Sequence, residues 1–318
     1  MLPTVASPVL WGAFLAGILV LLILDLKVFH GRDHAERFGA AVGWSVFWIA
    51  LSLAFNLWVY LEFGSQAGLD FLAGYVIEKS LSVDNIFVFL VIFRYFAVPP
   101  KFQHRALFWG VMGAIVLRGV FVLLGTALLA RFHWVIYIFG ALLVYTGYRL
   151  LTHGDIEVHP ERNPVVRLVR RFVPITKRYH GHHLWVRLRG RLAATPLLLV
   201  LLVIETTDVV FAVDSIPAVF AITRDPFIVF TSNIMAVLGL RALYFVLAGM
   251  MHRFRYLHYG LGLVLAFVGV KMLIEGFVHI PTQWSLLVVA LLIAGSMIVS
   301  WLSRGPTGGP AADTIHDE

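Results

Sequence analysis

The chain has 318 residues, of which 60% are apolar and 14% charged, with a formal net charge of +7 and a mean hydropathy of +0.86. Soluble domains are only about half apolar, so this composition predicts a polytopic membrane protein. The sequence contains no cysteine, which excludes disulfides, zinc-thiolate sites and iron–sulfur clusters.

Apolar stretches long enough to cross a bilayer predict about nine transmembrane helices. In chain order they lie at about residues 9–29, 40–62, 69–96, 105–129, 134–152, 196–222, 227–250, 257–278 and 284–302. The first stretch lacks the basic start of a secretory signal and is too long for one. It is therefore predicted to remain in the protein as span 1, and the fold class is predicted to be all-α.

The orientation follows from the basic residues. The longest hydrophilic stretch, 152–194, holds nine Arg or Lys and three acidic residues. The positive-inside rule places this stretch in the cytoplasm. Alternation from there puts most other basic residues on the same side and only Arg131 and Arg224 outside, which predicts an N-out, C-in topology. The positive charge is thus explained by topology and not by nucleic-acid binding.

Three landmarks occur twice in the same order. "EKSLSVDNIF" matches "DVVFAVDSIP", "MGAIVLRGVFVL" matches "MAVLGLRALYFV", and "YIFGALLVYTGYRLLTHG" matches "YGLGLVLAFVGVKMLIEG". The paired positions are Glu78 with Asp208, Asp84 with Asp214, Arg118 with Arg241, Gly140 with Gly262 and Gly147 with Gly269. Each copy holds three spans, so the second is predicted to lie upside down. Inverted repeats are typical of secondary transporters, which bind substrate near the midplane.

This organisation divides the chain into six segments. Spans 1 and 2 occupy 1–65, repeat A with spans 3 to 5 occupies 66–152, a basic cytoplasmic loop occupies 153–194, repeat B with spans 6 to 8 occupies 195–279, span 9 occupies 280–303, and a tail occupies 304–318. The tail has too little apolar content to fold and is predicted to be disordered.

Acidic residues inside the predicted spans indicate a functional site, because a charge within the bilayer is costly. Asp84 lies near the middle of span 3, and Asp208 and Asp214 lie near the middle of span 6. On one ideal helix, an acid six residues before Asp84 or Asp214 points about 120° away. The sequence therefore predicts that Asp84 and Asp214, on two spans related by the repeat, approach one ion near the bilayer centre.

Neighbouring groups add neutral oxygen ligands. Asn85 and Ser215 follow the two repeated aspartates, and Pro217 frees the carbonyl of Val213 and is expected to bend or open span 6. Carboxylate, amide, hydroxyl and carbonyl oxygens suit a hard or borderline divalent cation such as Mn²⁺, Mg²⁺ or Ca²⁺.

Ion pairing is the alternative for several of these residues, because Arg118 and Arg241 also lie deep in their spans. For Glu78 and Glu205, pairing with Arg118, Arg241 or Lys79 is as plausible as ligation. Asp208 is favoured for the ion site. Asp25 could bind the ion or pair with Lys27. Asn56 and Asn233 fit interhelical hydrogen bonds better than ligation.

The predicted loop carries His180, His182 and His183. They could sample metal, but such a run is more often a solvated basic segment, here with Trp185 and Leu188 suited to lipid headgroups. No nucleophile elbow, P-loop or HExxH motif occurs, so the protein is predicted not to be an enzyme.

At these same residues the sequence resembles the TerC family of bacterial integral membrane proteins. The stretches that carry the resemblance are "LDLKVFH", "EKSLSVDNIFVF", "ETTDVVFAVDSIPAVFAI" and "TSNIMAVLGLRALYF", within about residues 20–280. The resemblance implies Mn²⁺ export across the bacterial cytoplasmic (inner) membrane, with links to tellurium resistance and to metal supply for exported enzymes. The family's acidic positions fall on Asp25, Glu78, Asp84, Glu205, Asp208 and Asp214, and its polar pair on Ser232 and Asn233.

Two classes of function remain open. The first is a divalent cation exporter without a prosthetic group, with Mn²⁺ as the substrate ion, that could exchange the ion for protons. The second is a non-transporting membrane component of a stress or secretion complex, with the basic loop as the docking surface for a membrane or secretion partner. The inverted repeat and the midplane acids favour the first class, because a binding scaffold needs neither.

Overall fold

A computed structural model describes residues 4–29, 38–132, 134–153, 163–176, 178–179, 181, 183–188, 191–248, 256–278 and 280–303. The helices in these ranges are α1 (Pro8–Phe29), α2 (Phe38–Phe63), α3 (Ser65–Tyr95), α4 (Pro100–Arg131), α5 (Val135–His153), α6 (Pro164–Phe172), α7 (Pro196–Phe220), α8 (Pro226–Val237), α9 (Leu240–Ala248), α10 (Leu257–Ile274) and α11 (Thr282–Leu302). The strands are β1 (Trp185–Leu188) and β2 (Arg191–Ala194).

The prediction of an all-α polytopic membrane protein is confirmed. Within the described ranges, six stretches are helical, long and apolar enough to cross a membrane, and two shorter apolar helices accompany them. The six are Gly39–Phe63, Pro100–Arg131, Val135–Thr152, Pro196–Phe220, Pro226–Ala248 and Thr282–Ser300. Helix α3 has 31 residues, but its charged residues lower its hydropathy. The count of nine spans stays a prediction.

The helices present large apolar side chains outward, as lipid contact requires. Leu61, Leu123 and Leu291 are 74%, 64% and 63% exposed. Inside, one apolar cluster joins α1, α2, α3, α7 and α8, with Trp11 packed edge-on against Phe227 at 5.2 Å between ring centroids. A second cluster joins the end of α3 to the starts of α4 and α7. Exposed apolar surface of this extent marks contact with membrane or with another protein.

The segment predicted as a basic loop contains ordered elements in its described part. Asn163 caps α6 by accepting hydrogen bonds from the N–H groups of Val165 (3.0 Å) and Val166 (3.2 Å). Strands β1 and β2 form an antiparallel hairpin. The Tyr179 hydroxyl donates to the Phe96 carbonyl (2.8 Å), and burial raises the pKa of Tyr179 to about 12. This bond ties the segment to the end of α3. The predicted tail, 304–318, lies outside the described residues.

Span 7 is interrupted. Helix α8 ends at Val237 and α9 begins at Leu240. Between them Gly239 has a φ of 81°, and a Cβ there would lie 2.7 Å from the Trp48 side chain. Only glycine adopts this left-handed conformation without strain, and only glycine leaves room for Trp48. The interruption is therefore built into the sequence at this position.

Pro217 was expected to bend or open span 6; the opening is wrong, and the bend stays a prediction. Helix α7 continues through Pro217 to Phe220. Pro217 lies in the final turn, where its missing N–H removes a single helical hydrogen bond. The N–H of Ala221 still donates to the Pro217 carbonyl at 3.0 Å. The broken span is thus span 7 and not span 6.

Four glycines bring α5 and α10 into backbone contact. A Cβ on Gly147 would lie 2.6 Å from the Gly262 carbonyl oxygen, and one on Gly269 would lie 2.7 Å from the Gly140 carbonyl oxygen. Small residues permit this approach, through which membrane helices gain van der Waals contact. Exchanging Gly140 with Gly262 and Gly147 with Gly269, as the sequence repeat pairs them, converts one contact into the other. The inverted repeat itself stays a prediction.

Candidate functional site

Arg118 on α4 is completely buried and holds two carboxylates. It forms an ion pair with Glu78 on α3, and its Nη2 and Nε donate to the two oxygens of Asp208 on α7 at 2.9 and 3.4 Å. Glu78 and Asp208 are 0% and 3% exposed. Asn233 on α8 completes the network by accepting from Arg118 Nη1 (2.9 Å) and donating to Glu78 Oε2 (3.0 Å).

The network places two predicted metal ligands beside an arginine. Ion pairing with Arg118 was one of the two alternatives left open for Glu78, and Asp208, which was favoured for the ion site, pairs with the same guanidinium. Asn233 makes interhelical hydrogen bonds, as its position suggested. The hydrogen bonds matter because a buried charge is tolerated only when it is paired and its polar atoms are satisfied.

A small cavity adjoins this network. It has a volume of about 40 Å³ and lies between α3, α5, α7 and α10. Its polar lining consists of Glu78, Asn85, Thr146, Asp214 and Ser215. The Thr146 hydroxyl donates to Asp214 Oδ1 at 3.0 Å. A space of this size holds water or a small ion.

Two oxygens of the cavity lining lack hydrogen bonds. Asn85 Oδ1 and Ser215 Oγ are buried, and neither has a partner among the residues that the structure describes. An unsatisfied buried polar group costs roughly 1–3 kcal/mol. Such atoms beside a carboxylate, in a space of adequate size, fit a bound cation or ordered water.

Glu205 lies apart from the cavity lining. Its carboxylate packs against Gly113 on α4 so closely that a Cβ there would overlap the carboxylate atoms. Glu205 Oε2 is buried without a partner in the described part of the chain. Gly113 thus forms a notch for this carboxylate. The sequence did not single out this glycine, because a glycine within an apolar span has no distinctive neighbours.

Other predicted site residues lie elsewhere or outside the description. Arg241 is 6% exposed and follows the interruption of span 7, and Pro217 lies at the end of α7. The side chains of Asp25 and Asp84 fall outside the described residues, so the predicted meeting of Asp84 with Asp214 stays a prediction. Among the described residues, no group of three His, Asp or Glu side chains forms a metal cluster.

Sequence reasoning missed Thr146. Its hydroxyl is the described donor to Asp214, and it precedes Gly147 in the third repeated landmark. That position was a usable signal, because the glycine brings α5 close to its neighbours and a hydroxyl next to it enters the interior. Threonine is common in membrane helices, so the residue type alone indicated nothing.

Comparisons with known proteins agree with the membrane architecture. The family model described as "Integral membrane protein TerC family" matches residues 63–306. "Uncharacterized membrane protein STKORF319" of Myxococcus xanthus is 51% identical over 315 residues, covering 98% of this chain and 99% of that protein. "Putative membrane-bound redox modulator Alx" of Salmonella typhi is 47% identical over 311 residues, covering 95% and 97%.

A more distant relative, "Uncharacterized membrane protein" of Rickettsia bellii, is 38% identical over 288 residues, covering 90% of this chain and 95% of that protein. No solved structure matches the chain. The family match covers most of the chain, and the relatives align over nearly their full lengths. The chain therefore belongs to the TerC family of integral membrane proteins.

Proposed function

We propose that the protein exports a divalent cation, with Mn²⁺ as the preferred ion, across the bacterial cytoplasmic membrane. The observation that carries the proposal is the cavity in which the Asp214 carboxylate meets two buried oxygens without partners, Asn85 Oδ1 and Ser215 Oγ. In this proposal the protein is a transporter and not an enzyme.

The ligand chemistry supports a hard or borderline cation. Carboxylate, amide and hydroxyl oxygens are the donors that Mn²⁺, Mg²⁺ and Ca²⁺ take in proteins. The cavity volume of about 40 Å³ leaves room for an ion and a water molecule. Asp214 makes no ion pair in the described part of the structure, and Thr146 is the hydrogen-bond donor to it. Its charge is therefore open to offset an ion's loss of water.

Glu78 connects this cavity to the buried network. It lines the cavity and also pairs with Arg118. An ion that takes an oxygen of Glu78 competes with the guanidinium, and Asn233 on the interrupted span 7 is bonded to both groups. Ion binding in the cavity would thus change the hydrogen bonds that hold Asn233 on α8. Such coupling suits a transporter whose helices move around a fixed site.

The names of the relatives bear on the choice of ion. The Salmonella typhi relative is named as a membrane-bound redox modulator. The present chain has no cysteine, so it has no thiol group that could carry out redox chemistry. Mn²⁺ is redox-active, and control of its concentration is one route by which cation export affects redox balance.

The decisive experiment measures Mn²⁺ flux in proteoliposomes that contain only the purified protein. Asp214→Asn keeps the size and the hydrogen bond to Thr146 but removes the charge, so we expect at least a tenfold fall in the initial rate with normal insertion and folding. The matched control is Glu62→Gln, which neutralises an exposed carboxylate at the end of α2 and should leave the rate unchanged. Equal rates for Asp214→Asn and the parent would refute the site.

The non-transporting alternative gives a different pattern. If the parent moves neither Mn²⁺ nor another divalent cation in vesicles, yet complements cells that lack it, the protein acts as a component of a larger membrane complex. Neutralising the exposed Arg167, Arg171 and Arg187 of the 163–194 segment would then abolish complementation. Under the transport proposal these substitutions leave vesicle flux intact.

A further inference from the structure

We propose that the junction of α2, α3 and α8 is a monovalent-cation position that the ammonium of Lys79 fills from within the chain. The ligand that this position would take is a small monovalent cation, held by hydroxyl and carbonyl oxygens. The position lies at the interruption of span 7 and is separate from the cavity at Asp214. Its existence does not depend on the proposed function, although its consequence for transport does.

Lys79 lies near the middle of α3, one residue after Glu78, yet it avoids the ion-paired network. Its Nζ donates to the carbonyl of Ala236 at 3.1 Å. Within the described chain this carbonyl is its hydrogen-bond partner, and no carboxylate lies within 4.0 Å of the ammonium. Arg118, by contrast, holds two carboxylates. An ammonium at this depth in a membrane protein requires another source of stabilisation.

The end of α8 supplies that stabilisation. Ala236 lies in the last turn of α8, which ends at Val237 before Gly239. The carbonyl end of a helix carries the negative pole of the helix dipole, and the carbonyls of interrupted membrane helices are typical ligands of Na⁺ and H⁺ sites. The ammonium thus occupies the location at which a free cation would be bound.

Further oxygens gather at the same junction. The Ser52 hydroxyl on α2 shares its one proton between the Trp48 carbonyl of its own helix at 2.8 Å and the Met235 carbonyl at 3.3 Å. Tyr75 lies one turn before Lys79, on the same face of α3, and is 5% exposed. The Tyr75 hydroxyl lies near Ser52. It is buried, and it has no hydrogen-bond partner among the described residues. Ser52 and Tyr75 thus bring two buried hydroxyl oxygens to the junction at which the carbonyls of α8 end.

The position and the Asp214 cavity lie on different sides of α3. Glu78 faces the cavity and Arg118, and Lys79 is the next residue, which on an ideal helix points about 100° away. The ammonium of Lys79 is attached to the chain, so it supplies a positive charge at this position without any ion from solution. The protein therefore has no need of Na⁺ or K⁺ at this position, and transport by the parent is expected to be independent of both.

The first test uses stability and does not require transport. Purified Lys79→Ala is heated in NaCl, KCl, methylammonium chloride or choline chloride at equal ionic strength. A ligand that binds only the folded state raises the unfolding midpoint, here by about 3 °C in the small-cation salts relative to choline. The parent and Lys101→Ala, which removes an exposed lysine, should show no such difference. Absence of a cation-selective rise in Lys79→Ala overturns the proposal.

A second variant covers the case in which Lys79→Ala does not fold. Lys79→Gln keeps a donor for the Ala236 carbonyl and removes the charge. We expect its unfolding midpoint to fall by about 5 °C in every salt, because the amide fills the space without supplying a charge. A midpoint equal to that of the parent would show that the lysine acts only as a hydrogen-bond donor, which also overturns the proposal.

The flux arm separates this inference from the proposed function. Replacing Na⁺ and K⁺ by choline should leave Mn²⁺ flux by the parent unchanged and should lower flux by Lys79→Ala at least fivefold. If the parent moves no Mn²⁺ while Lys79→Ala is stabilised by small cations, the cation position stands and the export proposal fails. Flux by Lys79→Ala that is indifferent to the cation, together with no stabilisation, rejects the cation position alone.

Discussion

At the scale of single residues, Arg118 joins side chains from three other helices. Glu78, Asp208 and Asn233 all depend on it for a hydrogen bond or an ion pair. The depth of Arg118 and of the acids could be read from the sequence, and so could the possibility of pairing. Which acid meets the arginine could not, because that depends on the rotation of each helix about its own axis, which packing determines.

Removing Arg118 should be far more damaging than removing an exposed arginine. We expect Arg118→Gln to lower the free energy of unfolding by about 3–5 kcal/mol, because two buried carboxylates lose their counter-charge. The measurement is the thermal or denaturant midpoint of the detergent-purified protein, together with the amount of folded protein recovered.

The control for this variant is Arg224→Gln. Arg224 pairs with Glu275 at 3.0 Å, but the two side chains are 34% and 35% exposed, so its loss should cost less than about 1 kcal/mol. Similar losses for the two variants would contradict the assignment of Arg118 as the centre of a buried network.

At the scale of elements, the sequence predicted helices well and their interruptions poorly. Length and hydropathy located α2, α4, α5 and α11, because crossing a bilayer demands a long apolar run. The break at Gly239 was missed, since "VLGLRAL" reads as continuous apolar helix and the constraint arises from Trp48 on another helix. Pro217 misled for the opposite reason. Proline weakens a helix interior, but here it lies in the last turn.

The glycine contact between α5 and α10 gives a prediction at this scale. In Gly147→Ala the new Cβ would lie 2.6 Å from the Gly262 carbonyl oxygen and 2.7 Å from the Ala266 nitrogen. These are backbone atoms that cannot rotate away, so the helices must separate. We expect a loss of about 1–3 kcal/mol in the free energy of unfolding, measured as the shift in denaturant midpoint.

Gly43→Ala is the matched control, because nothing lies within 4 Å of a Cβ at Gly43 on α2. Alanine is the better helix former by about 0.5–1 kcal/mol, so this variant should be neutral or slightly more stable. A Gly147→Ala protein as stable as Gly43→Ala would show that α5 and α10 are not in backbone contact.

At the scale of the whole molecule, charge divides the two ends of the bundle. The 163–194 segment contains Arg and Lys but no acidic residue, and its exposed arginines include Arg167, Arg171, Arg178 and Arg187. The positive-inside rule assigns this end to the cytoplasm. The turn after α10, where Phe277 is 91% exposed, belongs to the opposite end.

The native absence of cysteine makes this orientation directly testable. A membrane-impermeant maleimide should label Phe277→Cys in intact spheroplasts, because the predicted topology places this turn outside. Arg178→Cys should be labelled only after the membrane is opened, and the parent should not be labelled in either state. Labelling of Arg178→Cys in intact spheroplasts would reverse the topology.

The interruption of span 7 also constrains the order of assembly. Inside a bilayer an isolated span must satisfy its own backbone hydrogen-bonding groups. We therefore expect this segment to enter the membrane as one continuous helix. Breaking it exposes carbonyls, and the donors described for two of them come from Ser52 and Lys79 on α2 and α3. Those helices are synthesised and inserted earlier than span 7. The break can therefore form as soon as span 7 arrives, whereas a chain with the reverse order of segments would hold unsatisfied carbonyls until its partners emerged.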